Sequence, residues 1–204
     1  MNHPNTIDII LLLLTGLVAL YLSVQFFKRK KLYDWYYILG FVVLLVAGVL
    51  LILQGYEILG TPFVLTVSSL IPLGISMGIA EEYFPGIKKP FKWFLGIGFV
   101  LIALSSYFEW TLVRKISVPL FHSVAGLMIF LGPIMAKGAP KGFFWVGIGG
   151  LLIGIGGIAL AFLTIGQPLL GIFTAALVFN ILSLILVLMA FSFLYGFQKD
   201  LAQK

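Results

Sequence analysis

The 204-residue chain contains no cysteine, few charged residues and no polar stretch long enough to form a second domain. The absence of cysteine excludes disulfide bonds, thiol nucleophiles and cysteine-ligated zinc or iron–sulfur sites. Only 10% of the residues are charged and 61% are hydrophobic, whereas soluble domains carry ~25% charged residues. These proportions exclude a soluble globular protein and indicate a protein whose surroundings are lipid.

Seven apolar stretches are each long enough for a helix of roughly 20 residues, the length that crosses the hydrocarbon core of a bilayer. The sequence therefore predicts an all-α fold, a polytopic bundle of seven transmembrane helices in a single domain, 1–204. Within it we expect an extra N-terminal helix with a basic loop (1–35), a six-helix core of three hairpins (36–197) and a tail (198–204). The predicted spans are Ile9–Phe27, Tyr36–Leu53, Ile58–Ala80, Phe94–Val113, Ile116–Ala136, Phe143–Leu163 and Pro168–Phe197.

The net charge of +6 indicates how the chain is oriented in the membrane. With the N-terminus outside, the cytoplasmic segments hold eleven of the Lys and Arg residues and the outer segments hold two. This imbalance predicts an outside N-terminus, a cytoplasmic C-terminus and a multi-pass protein of the cell membrane. The basic run Lys28–Lys31 lies between two spans, so we interpret it as a topological signal and not as a nucleic-acid-binding patch. The expected partners are therefore membrane lipids, with no nucleic acid.

Ionisable side chains in a membrane are energetically costly, so the few that lie within or beside the spans are candidates for a functional site. Glu57 and Glu109 lie at the outer ends of two predicted helices, and His122 lies six residues into the fifth span. Two carboxylates and an imidazole can perform acid–base chemistry, which makes these three residues the catalytic candidates. The alternative is that both glutamates are solvated at the membrane interface and that His122 is a packed structural histidine.

Four further residues on the outer half are predicted to bind a ligand, namely Tyr56, Tyr107, Arg114 and Asn180. Together with the catalytic candidates they predict a small polar pocket that faces the outer leaflet. A single intramembrane histidine and the lack of cysteine favour no bound metal, and we expect no cofactor. On the opposite side, Glu81 and Glu82 are predicted to form a salt-bridged cytoplasmic turn.

Glycines are concentrated in the sixth predicted span, where Gly150 and Gly154 form a GxxxG pattern. This spacing lets two helices approach closely in a membrane. It predicts close packing within the chain or a homo- or hetero-oligomer that forms through this face.

The central hairpin also resembles a known pattern, through Trp93–Gly96, Phe108–Glu109 and the run Leu120–Phe130. It resembles that of an archaeal and bacterial membrane family related to the DRAM/Sfk-type six-helix proteins. In that family an acidic residue ends one helix and a histidine opens the next, and Glu109 and His122 occupy those positions here. Glu57 resembles the acidic residue that ends the family's first helix. The resemblance implies a core of helices two to seven and a role in lipid handling or membrane homeostasis, without a defined chemistry.

Three functions remain open on this basis. The first is an integral membrane protein whose outer-leaflet pocket interacts with a lipid or a lipid headgroup, with or without catalysis. The second is a non-catalytic subunit or scaffold of a membrane complex. The third is a small-solute or ion transporter or channel, for which we expect a continuous polar path through both halves of the bundle.

Overall fold

The structure is a computed structural model that describes the backbone of residues 3–164 and 175–203 and the side chains of residues 3–157 and 177–203. The described residues form seven α-helices and one short 3₁₀-helix, which confirms the all-α prediction. In chain order the elements are α1 (Thr6–Arg29), α2 (Asp34–Gln54), the 3₁₀-helix (Tyr56–Gly60), α3 (Pro62–Tyr83), α4 (Lys88–Tyr107), α5 (Thr111–Met135), α6 (Phe144–Thr164) and α7 (Ala175–Leu201).

Six of these helices are long and apolar enough to cross a membrane, and they are α1 to α5 and α7. The remaining helix, α6, is also apolar over Phe144–Gly157, the part whose side chains are described. The predicted start of the seventh span, Pro168, lies outside the described residues.

Local sequence signals account for where two of the helices begin. At the start of α1, Asn5 and Asp8 form a capping box in which each side chain accepts a hydrogen bond from the other residue's backbone N–H. At the start of α3, the Thr61 side chain accepts a hydrogen bond from the Val64 N–H, and Pro62 occupies the first helical position. Both caps satisfy backbone donors that the first turn of a helix leaves without a partner.

Six helices pack in a closed ring in the order α1, α2, α3, α5, α6 and α7, with α7 returning to α1. The remaining helix, α4, lies outside this ring and packs against α3 and α5. The members of each predicted hairpin are packed neighbours, and α1 contacts both α2 and α7. The division of the chain into an added first helix and a six-helix core stays a prediction.

The turn between α4 and α5 lies before the predicted boundary at Arg114 and Lys115, and that prediction was wrong. α4 ends at Tyr107 and α5 begins at Thr111. Between them Glu109 adopts a left-handed backbone conformation with φ of 55°, which a helix cannot accommodate. The prediction continued the span through this turn because apolar residues, among them Leu112 and Val113, follow it directly.

Aromatic side chains fill one part of the ring interior, and we call them the aromatic plug: Phe26, Tyr37, Phe41, Phe193 and Phe197. They come from α1, α2 and α7, and all are fully buried. Their ring centroids lie 4.8–6.1 Å apart, with stacked and edge-to-face pairs. The plug lies towards the end of the ring where α1 meets α2, which we call the basic end because the run Lys28–Lys31 is there.

Candidate functional site

The residues of the predicted polar pocket differ in burial. Four of them are exposed, namely Glu57, Tyr107, Glu109 and Asn180. Arg114 is half-buried on α5, which packs against α3, α4 and α6. Asn180 is on α7, whose neighbours are α1 and α6. The proposed catalytic and binding roles of these residues stay predictions.

Tyr56 is the predicted ligand-binding residue that is most deeply buried, with 3% of its surface exposed. Its ring stacks on Phe179 with centroids 5.8 Å apart. Burial and the negative charge of Asp8 raise the pKa of Tyr56. Asp8 in turn accepts a hydrogen bond of 2.5 Å from the Ser183 hydroxyl, which links the first turn of α1 to α7. This small polar group lies at the end of the ring opposite the basic end.

An apolar cavity of about 120 Å³ lies among the helices of the ring. All six helices of the ring and the 3₁₀-helix contribute to its lining. The walls are mainly leucine and isoleucine side chains, among them Leu12, Leu51 and Leu182, with Thr15 and Ser68 as hydroxyl groups. His122 is the single ionisable residue among the described residues that line this cavity.

A second apolar space of about 230 Å³ lies between α5 and α6, and we call it the α5–α6 groove. His122 lines this groove as well as the cavity, so the imidazole stands where the two spaces meet. The groove is open beside two glycines. A Cβ added to Gly154 would meet no atom within 4 Å, and a Cβ added to Gly126 would lie 3.9 Å from the Gly154 Cα. The groove therefore lies beside the ring cavity, and His122 is the residue that lines both.

The absence of a side chain at Gly157 leaves room for the imidazole, because a Cβ on Gly157 would collide with His122 Nε2. Gly150 has a different role. A Cβ there would lie 2.7 Å from the Ile129 side chain and 2.8 Å from the Phe130 backbone of the same chain. Gly150 therefore packs against α5 within the monomer, and an oligomer that forms through the Gly150/Gly154 face stays a prediction.

A buried cluster of charges lies at the basic end, centred on Arg29 in the last turn of α1. Its guanidinium donates to Asp34 through Nη2 at 2.5 Å and Nε at 2.9 Å, and to Asp200 through Nη1 at 2.5 Å. Nη1 also lies 3.8 Å from Glu82 Oε1. At most 6% of any of these four side chains is exposed. The cluster joins the ends of α1, α2, α3 and α7 beside the aromatic plug, and we call it the charge cluster.

Tyrosine hydroxyls complete the charge cluster by donating to its carboxylates. Tyr37 donates to Glu82 at 2.7 Å, and Tyr83 donates to Asp200 at 2.5 Å. Buried carboxylates require hydrogen-bond donors because they have lost hydration. The Arg29 guanidinium lies between the carboxylates of Asp34, Glu82 and Asp200. Among the described residues, no group of three His, Asp or Glu side chains could hold a metal ion.

The sequence analysis did not predict the charge cluster: it interpreted Lys28–Lys31 as a topological signal and Glu81 and Glu82 as a salt-bridged cytoplasmic turn. Glu81 does form the predicted salt bridge, with Lys88 at 2.7 Å, but its neighbour Glu82 is buried. Glu82 also takes part in an ion pair, but its partner is Arg29 and the pair is buried, because this residue faces the ring interior. One available signal was that Arg29 is the single arginine among the lysines of the run Lys28–Lys31, since arginine is the residue that best forms bidentate buried ion pairs.

Tyr33 offers a pH-dependent test of the charge cluster. Burial, followed by the negative charge of Glu82, raises the pKa of Tyr33 to about 12. Because this pKa exceeds the ordinary value of 10.0, the phenol stabilises the fold below pH 10 and loses this contribution as the pH rises towards 12. In a titration of phenolate absorbance, the difference between the parent and Tyr33→Phe is expected to show a transition near pH 12. A transition near pH 10 would contradict this placement of Tyr33.

Together these features define a class: a helical membrane-embedded protein whose ring of helices holds an apolar cavity closed at one end by aromatic rings and a charge cluster. Comparison with protein-family models, with curated proteins and with solved structures found no match for the chain. The resemblance to the six-helix membrane family therefore stays a prediction, as does the role it implies for Glu57, Glu109 and His122.

Proposed function

We propose that this protein binds the hydrocarbon chain of a membrane lipid inside its ring of helices. The observation that carries the proposal is the position of His122, which lines both the ring cavity and the α5–α6 groove. A chain that enters from the bilayer through the groove would pass this imidazole and end in the cavity.

The lining of both spaces favours hydrocarbon over a polar solute. Apolar cavities of about 150 Å³ stay dry and bind small apolar molecules, and the ring cavity of about 120 Å³ is close to that size. Ligand sites of drug-sized molecules range from about 300 to 1,000 Å³. The cavity and the groove of about 230 Å³ together reach the lower end of this range. We therefore propose a lipid chain in the ring cavity in place of a headgroup in an outer polar pocket.

The orientation of the site follows from the charge distribution, and it is also part of the proposal. Eleven of the thirteen Lys and Arg residues lie in segments that the positive-inside rule assigns to the cytoplasm. On this assignment all seven helices span the cell membrane, with the N-terminus outside and the charge cluster at the cytoplasmic end. The cavity and His122 then lie on the outer side of the aromatic plug.

The other two functions have less support. A transporter or channel needs a polar path through the bundle, but the aromatic plug fills the ring interior between the charge cluster and the cavity. A scaffold that docks through the glycine face of α6 needs that face free, but Gly150 contacts Ile129 and Phe130 of its own chain. Lipid-chain binding requires no polar path, and of the glycine face it requires only the space beside Gly154, which is open.

Photolabelling of the purified full-length protein tests this proposal. A hexadecyl diazirine probe with an alkyne handle would be added to protein in detergent micelles, illuminated, and its attachment sites mapped by peptide mass spectrometry. We expect labelling of Leu12, which is 1% exposed and lines the cavity, to saturate and to be displaced by excess hexadecane.

Leu17 on the same helix provides an internal control, since it is 62% exposed on the outer surface of the ring. Its labelling is expected to rise with probe concentration without saturation. If Leu12 is not labelled, or if hexadecane fails to displace the label, the cavity does not bind a hydrocarbon chain and the proposal is wrong.

A further inference from the structure

The cavity and the α5–α6 groove together form the proposed lipid-chain site, and their walls carry almost no polar groups. Few polar or charged groups of a bound molecule can therefore find a partner there. Among the described residues that line the cavity or the α5–α6 groove, none is Lys, Arg, Asp or Glu. The segment 158–176, whose side chains lie outside the described part, contains no ionisable residue in its sequence. The site therefore has no counter-charge for a charged headgroup.

The hydroxyl groups in the cavity already have hydrogen-bond acceptors. Thr15 Oγ1 donates to the Leu11 carbonyl at 2.9 Å, and Ser68 Oγ donates to the Leu65 carbonyl at 3.3 Å. His122 is different, because no described residue forms a hydrogen bond with its imidazole. In every protonation state an imidazole carries at least one N–H donor. Among the described residues, the His122 imidazole and the Ser123 hydroxyl of the groove are therefore the side-chain donors that a ligand can meet, and only His122 lines both spaces.

The nearest carboxylate along α1 is Asp8, one turn before Leu12, and it does not line either space. Its oxygens accept from the Ser183 hydroxyl at 2.5 Å and from the Asn5 N–H at 3.1 Å. Asp8 is therefore engaged in joining α1 to α7. A cationic headgroup would find no carboxylate in the site itself.

We infer that the ligand of this site is an uncharged amphiphile, a long-chain or isoprenoid alcohol whose single oxygen accepts a hydrogen bond from His122. This inference rests on the proposed function and identifies the chemical class of the bound chain. An ion moved into an apolar site without a counter-charge loses far more hydration free energy than an alcohol does. Fatty acid anions and anionic phospholipids are therefore poor ligands, and a hydrocarbon without oxygen binds but gains no hydrogen bond.

Competition against the photolabel tests the inference. Hexadecanol, geranylgeraniol, hexadecane, palmitate and phosphatidylglycerol would each compete with the hexadecyl probe for Leu12, at neutral pH and in the same micelles. We expect either alcohol to compete at a concentration at least tenfold below that of palmitate or phosphatidylglycerol. Comparing the concentrations at which hexadecanol and geranylgeraniol compete shows whether the site prefers a straight-chain or an isoprenoid alcohol.

The variant His122→Phe keeps a ring at the boundary but removes the donor. We expect it to weaken competition by the preferred alcohol about fivefold, as the loss of one hydrogen bond does, and to leave competition by hexadecane unchanged. The control is His3→Phe, at the other histidine of the chain, which is exposed. It is expected to change neither the competition by the alcohol nor that by hexadecane.

The outcomes separate the two proposals. If hexadecane does not displace the probe, the proposed function is wrong. If hexadecane displaces it but palmitate or phosphatidylglycerol competes as well as the alcohols, the site binds chains and the inference of an uncharged ligand is overturned. The same holds if His122→Phe weakens hexadecane and alcohol equally, because the imidazole then acts only through packing.

Discussion

Replacing Arg29 by methionine is expected to lower the free energy of unfolding by about 3–5 kcal/mol, the usual cost of removing one partner from a buried ion pair. The guanidinium is the one cation that contacts the Asp34, Glu82 and Asp200 carboxylates in the described ion pairs of the charge cluster. Without it, three buried acidic side chains lose the guanidinium that neutralises them. Because the cluster joins four helices, we expect the loss to affect the whole ring.

The matched control is Lys28→Met, which removes a positive charge from an exposed position one residue away. Exposed charges contribute little to stability. The free energy of unfolding of this variant is therefore expected to differ from that of the parent by at most about 0.5 kcal/mol. The measurement is a reversible denaturant titration in mixed micelles that follows helix content. Equal losses for the two variants would show that the charge cluster does not stabilise the ring.

A second substitution checks that the effect arises from the cluster. Asp200→Asn alone removes a partner of Arg29 and of Tyr83 and is expected to be destabilising. In the Arg29→Met background the same change removes an uncompensated buried charge, so it should cost less or restore stability. Additive losses in the double variant would contradict direct coupling between these two residues.

Filling the α5–α6 groove is expected to have the largest effect on ligand binding. The variant Gly154→Phe places an aromatic ring in the space through which the lipid chain is proposed to enter. A Cβ at this position meets no atom within 4 Å, so the new side chain has room to lie in the groove. We expect at least a tenfold loss of displaceable labelling at Leu12, about 1.4 kcal/mol of binding free energy.

Gly96→Phe is the matched control for this variant. Gly96 is an exposed residue on α4, outside the ring, and a Cβ there also meets nothing within 4 Å. Both variants change a helical glycine into phenylalanine, so their effects on helix stability are similar. If the two variants bind the probe equally, the chain does not enter between α5 and α6.

The sequence was sufficient to predict the class of fold because hydrophobic runs of membrane length have few alternatives to a helix. It was not sufficient for the turn at Glu109. There the chain turns at a residue with positive φ, and hydropathy does not record backbone geometry. The sequence also could not predict which helices are neighbours. The position of α4 outside the ring, for example, depends on which apolar helix faces fit together.

Of the residues that line the candidate site, the sequence singled out His122, and its role stays a prediction. An ionisable residue inside a span is rare, and this rarity alone identified it. The apolar cavity around His122 could not be predicted because leucines that line a cavity have the same spacing as leucines that face lipid. Arg29 and Glu82 were missed for a related reason. Charges at helix ends are usually solvated, and only the rotation of α1 and α3 in the packed ring turns these two inwards.

The most direct test of lipid-chain binding is an experimental density map of the full-length protein purified with its native lipids. The account predicts an elongated density that begins among Leu12, Leu51 and Leu182, passes within hydrogen-bond distance of His122 and leaves between α5 and α6 at Gly154. An empty cavity, or one filled by the protein's own side chains with α5 and α6 in contact at Gly154, would contradict it.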